Sequence, residues 1–271
     1  TLSLTQRLTK LSYIDISATT GFTDEELQRQ QGDIDGGMIP DELLSPEFSK
    51  DDRYFRPGLA WKRSTTKSQL SIGLQSLFGE FSTTLNNEDK VSDDYMFLLP
   101  RASWEWNYRS GRRLMLGYSS SVNIPRVSQL LPVVNNINAL SLFYGNRSLK
   151  PEYSHNARAT WWLFDQFSFT TLLTGINVRY TNDKIGYSRN VDADLRQTIT
   201  LINVKDDWNA GGNIDFTTPI RPLGVKMDLA MSGDFNRGIS LINGEENINN
   251  NYTHQISLTF ENRKKEKWDI E

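Results

Sequence analysis

The chain has no cysteine and only two histidines among 271 residues. The first absence excludes a disulfide framework and thiolate metal sites. The second leaves His155 and His254 far apart, neither with another histidine or cysteine at ligand spacing. No sign of charge is in surplus, because 30 Lys and Arg face 33 Asp and Glu for a net charge of −3. Nothing therefore steers the surface toward phosphate backbones, and no nucleic-acid partner is expected. No run reaches the roughly 18 apolar residues of a spanning helix. The first residues show neither the charged nor the apolar region of a secretory leader. GxSxG, HExxH, P-loop and dinucleotide signatures are absent as well. No catalytic residue, metal ligand or cofactor is assigned, and the chain is not expected to be an enzyme.

What is present is a folded composition, 37% hydrophobic and 11% aromatic, arranged with a period of two. In Val225 to Asp234, Val225, Met227, Leu229 and Met231 oppose Lys226, Asp228, Ala230 and Ser232. Tyr252, Ile256, Leu258 and Phe260 oppose Thr253, Gln255, Ser257 and Thr259 in the same way, as do Leu70, Ile72 and Leu74 against Ser71, Gly73 and Gln75. Trp104, Trp106 and Tyr108 oppose Glu105 and Asn107. Further candidates are Lys10 to Thr19, Tyr54 to Arg63, Arg112 to Val122, Tyr153 to Leu163, Phe167 to Tyr180, and Thr198 to Thr217 with a break expected at Gly211-Gly212. About eleven strands emerge, with hardly any helix. Thr23 to Gln31, TDEELQRQQ, carries a capping signature and reads as a short surface helix.

The links alternate in length. Those after Trp61, Tyr108, Leu163, Thr217 and Phe260 are short, whereas Thr20 to Arg53, Gly79 to Tyr95, Asn123 to Glu152, Thr181 to Gln197 and Asn236 to Asn251 are long. An up-and-down barrel in an outer membrane has tight periplasmic turns and long outer loops, while a soluble sandwich imposes no such alternation. Ten residues rising about 3.3 Å each and tilted by about 45° span roughly 23 Å, close to an outer-membrane apolar band of about 25 Å. Trp61, Trp104, Tyr108, Trp161, Trp162 and Trp268 fall near strand ends, where aromatic rings sit at the headgroup level. The fold class is therefore all-β, an antiparallel up-and-down meander forming part of a transmembrane β-barrel over residues 1–271, with outer-membrane lipid as its first partner.

The long links offer little chemistry. In Gly32 to Arg53, Asp33, Asp35, Asp41 and Glu42 suggest calcium, but an EF-hand loop begun at Asp33 has Met38 at its glycine position and Leu44 at its final glutamate position. Asp192 and Asp194 read as loop carboxylates, His155 as an interfacial strand residue, and His254 as a lumen or lipid-boundary one. In the link after Asn123, Ser121 to Pro125, Gln129 to Pro132, and Gly145-Asn146 through Leu149, Lys150, Pro151 and Glu152 form a spaced set. Gly145 and Asn146 suit a tight turn, and Pro151 fixes φ where a strand starts.

That set, SVNIP, QLLP and GNRSLKPE, resembles the barrel of TonB-dependent outer-membrane receptors, in particular the outer-membrane β-barrel family of Bacteroidetes type. The resemblance implies that Pro125, Pro132, Gly145, Asn146, Leu149, Lys150, Pro151 and Glu152 are a structural motif of an extracellular loop. Arg147 stands where that family has proline, which predicts a less rigid turn. Family members add an amino-terminal plug, a TonB box and a barrel of about 22 strands. This chain shows neither plug nor TonB box and reads as one portion of such a barrel. Expected partners are the remainder of the barrel and plug, the TonB complex through regions outside this chain, and a surface lipoprotein. Gln129, Asn135, Asn136 and Tyr144, within the apolar stretch Leu130 to Tyr144, are the loop candidates for ligand contact. The implied function is energised import of a nutrient; a siderophore, a glycan and a peptide all fit. The competing readings are a surface β-sandwich module that binds glycan or protein through its loops, and a passive porin. Cell fractionation separates the first two: the barrel is expected in the outer membrane and released only by detergent, and recovery from the salt-soluble fraction would exclude it.

Overall fold

The computed structural model describes residues 1–33, 39–41, 44–87, 89–138 and 140–262. Its strands in chain order are β1 (Leu2–Arg7), β2 (Ser12–Gln28), β3 (Gly32–Asp33), β4 (Ile39–Pro40), β5 (Glu47–Ser64), β6 (Ser68–Leu85), β7 (Asp89–Arg109), β8 (Arg112–Asn123), β9 (Asn135–Asn138), β10 (Ser141–Tyr144), β11 (Glu152–Asp165), β12 (Thr170–Val191), β13 (Gln197–Ile220), β14 (Val225–Ile242) and β15 (Glu245–Asn262). One short helix, α1 (Val127–Leu130), and a 3₁₀ turn at Arg221–Leu223 complete the set. Thirteen strands form one sheet. Setting aside the small ribbon β9–β10 leaves eleven, each antiparallel to the next, from β1 to β15. The sheet is not closed, because β1 and β15 do not pair with one another.

Register carries the alternation of the sequence from strand to strand. Ile16, Leu59 and Leu74 are directly opposite one another on β2, β5 and β6, and Ile214, Met231 and Ile256 on β13, β14 and β15. This face is uncovered, with Met96 62% and Ile256 63% exposed. Its apolar stripe is bounded by rings: Tyr153 and Trp161 on β11, Trp208 and Phe216 on β13, Tyr252 and Phe260 on β15. Eight residues at about 3.3 Å span about 26 Å along the strand, or about 19–22 Å across a membrane at 35–45° tilt. Hydrocarbon is the environment that such a band fits. No helix among the described residues is long and apolar enough to cross a membrane.

The other face is polar over its lower part. One registered row runs Thr5, Asp15, Ala60, Gly73, Arg101, Ser119, Asn156, Arg179, Asn209, Asn236 and Asn251 across all eleven strands. Of the adjacent tryptophans, Trp161 takes the lipid side beside Tyr108, to which its indole N–H donates at 2.8 Å. Trp162 points to the inner side, as period two requires, so only one of the pair marks the interface. Trp268 lies outside the described residues.

The alternation of long and short links survives in altered form. The five turns at one rim are tight, but three of the five long links are tall hairpins whose strands continue beyond the apolar band. β6 and β7 extend to Leu85 and Asp89, β12 and β13 to Val191 and Gln197, and β14 and β15 to Ile242 and Glu245. Thr23 to Gln28 is strand, not helix: it pairs residue by residue with Asp52 to Glu47 of β5. Cross-strand pairing there outweighs a local capping signal. β13 likewise runs unbroken through Gly211-Gly212, where Gly211 leaves room for Asp234 and Asn177 of the flanking strands.

β12 and β13 turn over as one unit near their middle. Below, β13 lies beside β14 over Trp208 to Ile220. Above Asp183, which adopts a left-handed φ of 51°, Ser188 and Arg189 of β12 take the place beside β14. Gln197 to Thr200 of β13 instead pair in parallel with β10. The hairpin thus swings its β13 edge inward over the lumen.

A charge at the centre of the lipid stripe separates the two faces experimentally. Met231→Arg is expected to cost about 2–4 kcal/mol in reversible unfolding from lipid vesicles, and Ser232→Arg on the inner face less than about 1 kcal/mol. Equal costs would mean that the faces are misassigned.

Candidate functional site

The link from Asn123 to Glu152 folds inward and closes over the upper lumen. Its apolar residues complete a dry cluster in which Leu130, Leu131 and Leu149 meet Phe48, Leu77, Phe81, Tyr95, Leu99 and Leu201 from the inner faces of β5, β6, β7 and β13. Phe48 and Leu130 are wholly buried. At about 25 cal/mol per Å² of apolar surface removed from water, burial on this scale holds the link together with the short parallel ladder of β10 on β13. The inner face therefore changes character with height, polar below and apolar above.

Polar staples fix the cap at its margins. Arg147 lies over the Phe48 ring, 5.8 Å from its centroid. Its guanidinium donates to the Thr83 hydroxyl at 3.1 Å, to the Thr83 and Asp89 carbonyls at 3.0 Å each, and to the Asp89 carboxylate. The turn at Arg147 is thus held by a side-chain clamp. Arg29 donates to the Val134 carbonyl at 2.7 Å and to that of Leu44 at 3.0 Å. Glu25, on the extension of β2 above the apolar band, pairs with buried Lys50 at 2.9 Å and accepts the Val127 N–H at 3.1 Å. Burial works against that carboxylate, but the Lys50 and Val127 bonds outweigh it and hold its pKa below the ordinary 4.5.

The motif residues make the following contacts within the fold. Pro125 is fully buried. Gly145 packs so close that a Cβ there would lie 2.3 Å from the Leu131 carbonyl oxygen, and its N–H donates to that oxygen at 2.9 Å. Asn146 donates from its side chain to the Leu201 carbonyl at 2.9 Å and accepts the Ser148 N–H at 2.9 Å. Lys150 exchanges both backbone bonds with the Asn203 side chain, at 2.8 and 2.9 Å. Glu152, 6% exposed, takes Lys184 at 2.9 Å, Asn123 at 2.9 Å and the Ile185 N–H at 2.8 Å. Pro151 is buried, and Pro132 ends the α1 segment.

The four loop candidates are not gathered into one site. Gln129 accepts the Arg126 N–H at 2.9 Å and so caps its own helix. Asn135 and Tyr144 belong to the ribbon β9–β10, with Tyr144 half-buried beside Thr200. The side chain of Asn136 lies outside the described residues, as do residues 34–38, 42 and 43 of the acidic link. Asp192 caps its own hairpin tip by accepting the Asp194 and Arg196 N–H groups at 2.9 Å each. His155 is on the lipid face, its Nδ1 2.7 Å from the Tyr118 hydroxyl and its ring against Tyr153. His254, opposite Gly233, shares that face.

Below the cap, the curved inner wall encloses a hollow of 940 Å³ lined by Ser119, Asn156, Arg158, Asn177, Arg179, Asn209, Asp234 and Asn236, among others. Amides bridge the strands, with Asn236 donating to Asn209 at 2.5 Å and Arg179 to Asn156 at 2.7 Å. Amide and guanidinium groups at this density suit water, polar solutes or a polar protein surface.

A model of the outer membrane protein beta-barrel family matches residues 9–271. Among curated proteins, none matches the chain in sequence. Among solved structures, it is similar to the copper transporter OprC, with TM-score 0.61 and 11% identity over 86% of this chain and 37% of that one. It is also similar to the FrpB iron transporter from Neisseria meningitidis, F3-3 variant, with TM-score 0.52 and 13% identity over 87% of this chain and 35% of that one. At these identities the likeness is one of fold, and the chain spans about a third of the length of either protein.

The clamp has a direct test. Arg147→Ala removes four hydrogen bonds, and loss of charge-assisted contacts to a buried partner is expected to cost about 2–4 kcal/mol of local stability. The Gly145 and Asn146 amides should then exchange with deuterium roughly 30- to 1000-fold faster, while those of β14 stay unchanged. Unaltered exchange at both would show that burial alone holds the cap.

Proposed function

The chain belongs to the outer membrane protein beta-barrel family of the Gram-negative outer membrane, and from that premise we propose that it is the barrel portion of an energised importer that takes up a nutrient through a gated lumen. The observation that carries this reading is the cap: a passive pore works by an unobstructed lumen, whereas here one link buries Leu130, Leu131 and Leu149 against the inner wall and is stapled by Arg147, Glu25 and Glu152. A closed mouth above a polar interior suits capture followed by release on demand. The long-hairpin rim is then extracellular and the tight-turn rim periplasmic.

Energy for such release comes from the inner membrane through TonB, delivered by a plug and TonB box in the remainder of the receptor, as the sequence motif around Gly145 to Glu152 suggests. A transition metal complex, a siderophore, a glycan and a peptide are all compatible cargoes. The transporters similar in fold carry copper and iron by their names, which supports import in general. A surface lipoprotein that holds cargo above the cap is a further partner in this reading.

The test is growth of a deletion strain on panels of ferric siderophores, oligosaccharides and peptides as sole source. One panel is expected to fail, to be rescued by the gene, and to fail again when a protonophore collapses the proton gradient. Rescue that resists the protonophore would establish a passive channel instead.

A further inference from the structure

The barrel wall has a built-in slot at Pro100. Even-numbered residues of β7 direct their backbone groups away from β6, as the Pro100 carbonyl shows by accepting the Ser120 hydroxyl at 3.1 Å and the Leu98 carbonyl by accepting the Tyr153 hydroxyl. Proline has no N–H to donate, and the β7–β8 ladder stops one residue below it, at Arg101 opposite Ser119. Above this point β8 follows β11, and β7 continues to Asp89 paired on its β6 side only. The two side-chain bonds satisfy the carbonyls nearest the break. Beyond them the edge from Ser92 to Met96 is paired to no strand on this side, with Asp93 and Asp94 within it and Lys90 two residues above.

A hollow of 550 Å³ lies along this edge. Its inner wall is apolar, with Phe97, Leu149 and Pro151, and its rim carries Asp93, Asp94 and Asp183, all exposed and in no ion pair among the described residues. Two cations line the hollow as well: Arg147, paired with Asp89, and Lys150, exposed and in no ion pair among the described residues, so three carboxylates face one uncompensated cation. We propose that this slot takes an extended cationic segment of a partner polypeptide, added as a strand to the upper edge of β7. Its basic side chains would meet Asp94 and Asp183, and the apolar ones between them would enter against Phe97 and Leu149. Added strands gain main-chain bonds irrespective of sequence and gain specificity from alternate side chains, which is what an edge with acids on one flank and an apolar pocket on the other offers. The hollow adjoins the cap, with which it shares Arg147 and Leu149.

The test is fluorescence anisotropy with the detergent-solubilised protein and labelled heptapeptides that alternate lysine and valine, glutamate and valine, or lysine and valine with a central proline. The lysine peptide should bind best. Reversing both rim charges, Asp94→Lys with Asp183→Lys, is expected to weaken it about tenfold, because two exposed ion pairs become repulsions. Met96→Pro, which deletes an edge N–H without touching the β6 ladder, should weaken it with both charges intact. A circular dichroism spectrum unchanged in each variant checks the fold. Equal binding of the acidic or proline-broken peptide, or full affinity in the charge-reversed protein, would overturn the proposal.

Discussion

In hydrocarbon an unpaired backbone N–H or C=O has no water to turn to, so strands cross the membrane only as a continuous hydrogen-bonded sheet. Most of the architecture follows from that constraint. It sets the meander, since each strand must find its neighbours at once, and it sets the alternation, since one flank of every strand meets lipid. It also explains the treatment of Pro100. Where the ladder fails near the top of the apolar band, the Ser120 and Tyr153 hydroxyls reach over to the two carbonyls left without partners.

Above the lipid the constraint relaxes and a second organising force takes over. There the molecule behaves like a water-soluble domain, burying Phe48, Phe81, Leu130 and Leu149 in a dry cluster on the concave side. The tyrosines that frame it lie over glycines, Tyr54 across from Gly21 and Tyr95 across from Gly79, and a Cβ at either glycine would strike the ring. Tyr95 then reaches Asp52 at 2.8 Å. The overturned β12–β13 hairpin brings Leu201 to the same cluster, so cap and hairpin share one core.

What the sequence made legible follows the same division. Strands inside the band, such as Met227 to Met231 against Ile256 to Phe260, announce themselves because lipid on one side enforces period two. Their extensions outside it, such as Glu245 to Asn251, are polar on both faces and read as loop, though they are ladder throughout. Thr23 to Gln28 carried a helix signal that pairing with β5 overrode. The inner core left one trace, the five consecutive apolar residues Tyr95 to Leu99, a pattern of burial on both faces that alternation alone does not predict. The motif from Gly145 to Glu152 lies in the cap, but its clamp, Arg147, bonds to Thr83 and Asp89, some sixty positions away, a pairing that no local spacing reveals.

The staples of the cap join residues far apart along the chain, with Arg29 and Val134 separated by 105 positions and Glu25 and Val127 by 102. Contacts of such range close late, because the intervening chain must first be placed. Until they close, Phe48, Phe81 and Leu99 are left uncovered on the concave side. On the proposed orientation the capped rim faces away from the periplasm, so the vestibule has to close without help from chaperones there.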